Sequence, residues 1–313
     1  MKPKRITRAL DGVLLLDKGL GLTSNAALQQ VRRLYEAASA GHTGTLDPLA
    51  SGLLPVCFGE ATKFSFGLLD ADKEYEALVR LGERTTTGDA EGEVIETCPV
   101  DVTQAAAEMA LNGFRGLISQ VPPMYSALKR DGRPLYEYAR AGQTVERTPR
   151  AITITALDLL EFSGREFRIR VRCSKGTYIR VLAEDIGSVL GCGDHLGALR
   201  RTAVGPFRVS EALPFSALEA MSREQRDTVL LPGDSLIRNL PEFVLDEARE
   251  KRFAQGQAVD CPPGAPGLLR VYSAPGRFLG VAERDPAGRL QPKRLISLQV
   301  PPAGPNKTAG QGI

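Results

Sequence analysis

Gly41-His42-Thr43-Gly44-Thr45-Leu46-Asp47-Pro48-Leu49-Ala50-Ser51-Gly52 is the stretch from which the rest of the 313-residue chain can be read. Its three glycines free the backbone for turns and for close approach to a partner. A single carboxylate, Asp47, stands in the middle, and His42, one of only two histidines in the protein, lies five positions earlier. Two readings are open on these residues alone. Asp followed by Pro is a good helix start, with Asp47 as N-cap and Pro48 at the first helical position. Alternatively, the loop presents Asp47 to a ligand as a functional carboxylate.

Outward from this loop the chain alternates between helix and strand patterns. Upstream, Val13-Leu14-Leu15-Leu16 reads as a short buried strand running into the turn Asp17-Lys18-Gly19-Leu20-Gly21. Thr23 or Ser24 can cap the next helix, whose apolar face is Leu28, Val31, Leu34 and Tyr35. Downstream, Gly59 leads into a second amphipathic helix with Ala61, Phe64 and Leu68 on one face. Lys73 to Leu81 alternates as a strand with Tyr75, Ala77, Val79 and Leu81 together, so Tyr75 alone reads as a core tyrosine. A polar loop from Thr85 to Gly92, a strand at Val94-Ile95 and a helix from Thr103 to Asn112 follow.

Residues 120–150, with paired prolines and weak periodicity, read as an excursion from the core, and long ordered loops are often functional. Ile152 to Leu160 reads as a strand. Arg165 to Arg172 has a period of two, with Phe167, Ile169 and Val171 on one face and Arg168, Arg170 and Arg172 on the other. Such a cationic face is a natural platform for phosphates. The next helix carries Ile179, Leu182, Ala183 and Ile186 at helical spacing. Arg180 on it, four residues before Glu184, reads by itself as a surface pair worth about 0.3–0.5 kcal/mol. Composition breaks at Leu240-Pro241, after which Leu268–Tyr272 and Phe278–Ala282 look like strands of a small β-rich module. Pro301 to Ile313 has the composition of a disordered tail.

Composition excludes several classes. A 42% apolar content supports a core, and 313 residues suggest two domains. No window approaches the roughly 18 apolar residues of a membrane span, and the basic start lacks a signal-peptide core. Five scattered cysteines with no Cys-x-x-Cys fit a reduced cytoplasmic protein; Cys192 and His195 alone make only half a metal site. The net charge of +3 is modest but clustered. Lys129 to Arg150 holds six basic residues against three acids, and Arg165 to Arg180 six against one. These clusters suit phosphates as well as a merely solvated face. Neither histidine sits in a nucleophile-elbow context, and no phosphate loop or dinucleotide fingerprint is present. An aspartate in a glycine loop, tyrosines at element ends and basic clusters remain. Aspartate can act as a nucleophile toward a sugar C1′ or an electrophilic ring carbon.

The loop, continued through Leu53-Leu54-Pro55, resembles the signature of the TruB-type tRNA pseudouridine synthases, which make pseudouridine 55 in the T arm of tRNA. Four further stretches match in order: Gly12 to Lys18, Gly59-Glu60-Ala61-Thr62-Lys63, Asp72-Lys73-Glu74-Tyr75, and Ser174-Lys175-Gly176-Thr177-Tyr178-Ile179-Arg180. The end of the chain is similar to a PUA RNA-binding module. The resemblance implies a mixed α/β (α+β) catalytic domain around a largely antiparallel sheet over 1–240, with a thumb-like insertion at about 120–150. A PUA-like domain over 241–300 and a tail over 301–313 would follow.

The same resemblance implies residue roles. Asp47 would be the catalytic aspartate, and Arg180 would pair with it and hold it ionised. Tyr75 would stack on the target uracil and is a candidate for proton removal at C5. Tyr178 and the backbone around Leu199 would line the uridine pocket, and His42 would fill the space left by flipped bases. No cofactor or metal is implied; tRNA is the implied partner, with no membrane and no obligate protein partner. One departure stands out: where the family has Asp-Lys-Pro-x-Gly, this chain has Asp17-Lys18-Gly19-Leu20-Gly21. Beside the isomerase, a non-catalytic tRNA-binding or tRNA-folding protein and a nucleoside hydrolase are the alternatives.

Overall fold

In the computed structural model, which describes residues 7–274 and 276–297, the run Val13–Leu16 lies inside strand β1 (Gly12–Lys18). All four residues are buried, as a continuous apolar run requires when both faces of a strand are covered. Helix α1 (Ser24–Leu34) begins where Thr23 Oγ1 accepts from the Ala26 N–H, and it buries Ala27, Leu28 and Val31. Strands β2 (Ala40–His42) and β3 (Ala50–Phe58) follow, with the glycine loop between them.

The helix-cap reading of Asp47 does not hold. The Asp47 carbonyl accepts from the Ala50 N–H at 3.0 Å, closing a turn over Pro48 and Leu49. The chain then enters β3 directly. The reason is tertiary: β3 pairs antiparallel with β1 from Gly12↔Phe58 to Lys18↔Gly52, and its first residues pair with a later strand. Sheet pairing thus takes the backbone groups a helix would need. Ala61, Phe64 and Leu68 are buried as their spacing implied, but a 3-10 turn (Gly59–Phe64) and a short α-turn (Phe66–Leu69) replace one continuous helix.

Strand β4 (Lys73–Leu81) is followed by a short hairpin of Glu83–Thr85 with Val94–Thr97. Helix α2 (Gln104–Asn112) is capped by Thr103. Strands β5 (Gly116–Gln120), β6 (Arg150–Phe162) and β7 (Glu166–Cys173) precede helix α3 (Ile179–Leu190). Strands β8 (Asp194–Val204), β9 (Phe207–Arg208) and β10 (Leu213–Pro214) complete a ten-stranded sheet. Its order is β10-β1-β3-β8-β4-β7-β6-β5, with β2 on β3 and β9 on β8. Only β1/β10 and β3/β8 run parallel, so the sheet is largely antiparallel.

This order positions the site. Strand β8 lies between β3 and β4, with Leu199 opposite Ala50 and Ala77, and Arg201 opposite Gly52 and Tyr75. Helix α3 buries Ile179, Leu182, Ala183 and Ile186 in the core beside the sheet residues Val79, Ile169 and Leu196. Each such leucine or isoleucine burial is worth about 1.5–3 kcal/mol. Because Gln120 pairs with Arg150, residues 121–149 leave and rejoin the sheet at one edge. They carry a tiny hairpin of Lys129–Arg130 with Arg133–Pro134 and a short helix, Leu135–Arg140.

The expected cationic platform on β7 is corrected by its neighbours. Phe167, Ile169 and Val171 are buried and the arginines face out, but Arg170 lies 3.5 Å from Glu76 on β4 and Arg168 3.1 Å from Glu161 on β6. Period-two patterning fixes which residues face out, whereas charge depends on the flanking strands, which set acids beside the arginines.

The chain divides into two compact units, Met1–Pro232 and Gly233–Ile313. The second, taken by itself, is a five-stranded sheet of β11 (Glu242–Leu245), β12 (Val259–Asp260), β13 (Gly267–Ser273), β14 (Phe278–Arg284) and β15 (Arg289–Leu295). The order is β11-β13-β14-β15-β12, and helix α4 (Glu247–Ala254) is capped by Asp246. Leu245, Phe253, Val271 and Leu290 are among its core. The tail expected from Pro301 to Ile313 lies outside the described residues. All five cysteines are free thiols. Among the described residues no helix is long and apolar enough to cross a membrane.

Candidate active site

Arg180, in the first turn of α3, is turned inward by the helix face that buries Ile179 and Ala183, and its side chain is 7% exposed. It makes no ion pair with Glu184; the surface-pair reading is therefore wrong. Instead its Nη2 lies 2.9 Å from Asp47 Oδ2 and its Nε 3.5 Å from Asp89 Oδ2. Nη1 donates to the Thr87 carbonyl at 3.1 Å and Nη2 to the Tyr125 carbonyl at 2.8 Å. One guanidinium thus ties the glycine loop, the polar loop and the 121–149 insertion together. A buried cation must be satisfied in this way, and removing one partner of such a pair costs about 3–5 kcal/mol.

Asp89 is itself fixed and buried. Its Oδ1 accepts from Thr87 Oγ1 at 2.6 Å and from the Glu91 N–H at 3.1 Å, and its carbonyl accepts from Thr85 Oγ1 at 2.7 Å. Asp47 differs: its side chain is 43% exposed, so one partner is the buried arginine and the rest faces open space.

That space consists of two adjoining cavities. The first, about 370 Å³, is lined by Asp47, Tyr75, Tyr178, Arg180, Leu199 and Arg201 among others. The second, about 530 Å³, is lined by His42, Asp47, Asp89, Tyr125, Arg140 and Arg180 among others. Asp47 and Arg180 line both, at the junction. Five of the six residues singled out from sequence therefore share the first cavity, and His42 faces the second.

Electrostatics differ around the cleft. Burial raises the Tyr75 and Tyr178 phenols, and for Tyr75 the nearby Arg201 guanidinium opposes that rise. Both tyrosines are neutral at physiological pH. Burial, reinforced by Arg201, lowers His42, so its ring is neutral as well. His42 Nδ1 is buried and has no hydrogen-bond partner among the described residues. Lys18, almost fully buried, donates to the Gly19 and Leu22 carbonyls at 2.9 and 2.7 Å. Burial pushes its ammonium down to about 8, with Asp47 pulling the other way. The Lys18 bonds hold the turn from Gly19 to Leu22.

Comparison with known proteins gives the lineage. The TruB family pseudouridylate synthase N-terminal domain matches residues 32–179, and the tRNA pseudouridylate synthase B C-terminal domain matches 180–238. The pseudouridine synthase II TruB C-terminal domain matches 241–296. The tRNA pseudouridine synthase B of Aromatoleum aromaticum is 60% identical over 93% of this chain and 94% of its own. The chain belongs to the TruB family of pseudouridylate synthases. The tRNA pseudouridine synthase B of Burkholderia mallei is 58% identical over 94% of this chain and 97% of its own. In fold, the TruB-family chain is similar to one in the crystal structure of the archaeal box H/ACA sRNP Nop10-Cbf5 complex. The TM-score is 0.69 at 23% identity, covering 91% of this chain and 85% of that one.

Three site residues escape a reading of the sequence. Asp89 looks like one more polar residue in Thr85–Gly92, and nothing local marks it as a partner of Arg180. Gln120 clamps the start of α3, its Nε2 donating to the Tyr178 carbonyl at 3.1 Å and its Oε1 accepting from the Tyr178 N–H at 2.8 Å. Arg201 sits on the inward face of β8; the alternation of a strand through Leu199 and Arg201 is the only local signal. Among the described residues no three His, Cys, Asp or Glu side chains are grouped to share a metal, and His195 Nδ1 lies 3.1 Å from the Glu83 carbonyl.

Proposed function

We propose that this chain isomerises uridine to pseudouridine in tRNA, at position 55 of the T arm, and that Asp47 is its catalytic aspartate. The observation that carries this reading is the Asp47–Arg180 ion pair at the junction of two cavities, one of which also holds Tyr75. The names of the relatives support tRNA as the substrate.

The reaction breaks the C1′–N1 bond, joins C1′ to C5, and moves the C5 proton away while N1 gains one. A partly exposed carboxylate at the junction of two cavities can act as the nucleophile, and the buried guanidinium beside it aims it. Tyr75 stacks on the uracil and relays a proton, taking that of C5 as its own goes to N1, a loss that the Arg201 charge makes easier. Tyr178 and the Leu199 backbone enclose the base. A uridine inside a folded loop must leave its stack, which costs a few kcal/mol that aromatic contacts offset. His42, neutral and with an unused ring nitrogen, suits the space that the flipped bases vacate. The 121–149 insertion closes on the RNA, and the second unit acts as a PUA-like RNA-binding domain. Free thiols suit a cytoplasmic setting.

The test is nucleoside analysis of an unmodified T-arm stem–loop after incubation. The wild-type chain is expected to form pseudouridine at position 55, and Asp47→Asn none, with RNA affinity kept within about threefold. Turnover by Asp47→Asn at the wild-type rate would remove Asp47 from the mechanism. RNA binding without modified base would leave a tRNA-folding protein, and free uracil would indicate a hydrolase.

A further inference from the structure

Arg201, 1% exposed on strand β8, is among the bulkiest fully buried side chains of the described residues. A guanidinium in such a place needs every donor satisfied or it is strongly destabilising. Its three carbonyl acceptors are Leu53, from Nε at 2.8 Å, Gly44, from Nη2 at 3.2 Å, and Thr45, from Nη1 at 3.4 Å, and it also hydrogen-bonds the Tyr75 phenol. No carboxylate among the described residues pairs with it. Two of its three carbonyl acceptors belong to the loop that leads into Asp47, and the third to β3, which leaves that loop.

One glycine of the opening stretch is required by the same residue, and a second lies beside it. At Gly52, whose φ is +104°, a Cβ would overlap the Arg201 backbone, so only glycine lets β3 and β8 approach this closely. At Gly44, whose φ is +81°, a Cβ would lie 3.4 Å from Arg201 Nη1. On its other side β8 places Arg201 opposite Tyr75, and both line the first cavity. Its charge reaches the whole cluster: Lys18, Lys73 and His42 are each lowered in part by Arg201, although burial is the larger cause for all three.

We propose that Arg201 is a positioning residue of this site, its fork of donors holding the Gly44–Thr45 backbone so that Asp47 and Tyr75 keep one fixed separation. This rests on the reading of Asp47 and Tyr75 given above. The rigid fork is the point. A lysine at 201 keeps the charge but cannot reach carbonyls in three directions from planar donors. Errors of an ångström in a reacting constellation cost about 100-fold in rate.

The experiment compares Arg201→Lys and Arg201→Gln with wild type in single-turnover pseudouridine formation on the T-arm stem–loop. RNA affinity and thermal unfolding by circular dichroism are measured alongside. Both variants are expected to lose about 100-fold in the single-turnover rate, while affinity for the stem–loop stays within about threefold. Arg201→Lys within about threefold of the wild-type rate would overturn the proposal, because charge alone would then suffice. Rate and affinity falling by the same factor, or both variants failing to fold, would also overturn it and leave Arg201 a residue of the fold alone. Active Asp47→Asn, or an inactive wild type, is a different result: it removes the reading of the site and this proposal with it.

Discussion

Two sets of arginines divide this molecule. The row Arg168, Arg170 and Arg172 on β7 is conspicuous in sequence, faces solvent, and is partly neutralised by Glu76 and Glu161 on the neighbouring strands. Arg180 and Arg201 are inconspicuous single residues, buried, and bonded to the loops around Asp47. Their different weight follows from the surroundings. An exposed ion pair is worth about 0.2–1 kcal/mol because water and salt screen it. A buried cation fixes whatever satisfies it, because leaving a partner unpaired costs several times more. Density of charge in a sequence therefore says less about a site than the few charges that the fold encloses.

Arg180→Met breaks this comparison most severely. It leaves Asp89 buried without its cation and Asp47 without its guide. Stability is expected to fall by about 3–5 kcal/mol in urea unfolding. Single-turnover pseudouridine formation should drop by about 1,000-fold or more. A variant as stable as wild type would mean that the buried pair does not hold the loops together.

Asp194 sharpens the same contrast from the acidic side. It is buried and makes no ion pair among the described residues, so that only the Gly187 backbone and the more distant Arg84 charge favour its ionised form. Burial, with Glu184 nearby, pushes it up to about 9. A buried charge with no paired cation therefore neutralises itself instead of organising loops. The folded protein keeps the Asp194 proton while the unfolded chain, with an ordinary value of about 3.9, releases it. Stability is therefore lost as pH rises from about 4 to about 9, by up to about 1.4 kcal/mol per pH unit. Asp194→Asn removes this dependence. It is expected to be more stable than wild type at pH 8, with the gain shrinking toward pH 5, in urea midpoints taken at both. An equal gain at both values would mean that Asp194 is ionised in the fold.

The smallest effect is expected from the exposed row. Arg168→Gln combined with Arg170→Gln should change stability by no more than about 1 kcal/mol. The same double variant should change affinity for the T-arm stem–loop by less than about threefold. A tenfold loss in filter binding, with a reduced salt slope, would restore β7 as an RNA platform.

Much of the architecture was legible because it rests on local periodicity. Lys73 to Leu81 alternates as a strand, and its strand has those bounds. Thr23 and Thr103 announce helices that begin at the next residue. Where local preference competed with pairing across the sheet, the reading failed: Asp47-Pro48 favours a helix start, yet the backbone of β3 is held by strands on both sides. Phe66–Leu69 is likewise too short a helix to match the continuous one its apolar spacing suggested.

The site divides along the same line. By itself the sequence determined that Asp47 lies in a glycine loop, that Tyr75 ends an apolar strand face, and that Arg180 opens a helix. These are properties of neighbours in the chain. The pairing of Arg180 with Asp47 was implied by the family resemblance; only the tertiary structure decided that Arg180 also meets Asp89 and turns away from Glu184, and that Arg201 meets Gly44, Thr45 and Tyr75. Those partners are more than 90 positions apart. The physical reason is that a helix or strand period sets which way a side chain points, but what it meets there depends on which strands become neighbours. That order, β3-β8-β4, is fixed by pairing between distant segments, and with it the charges around Asp47.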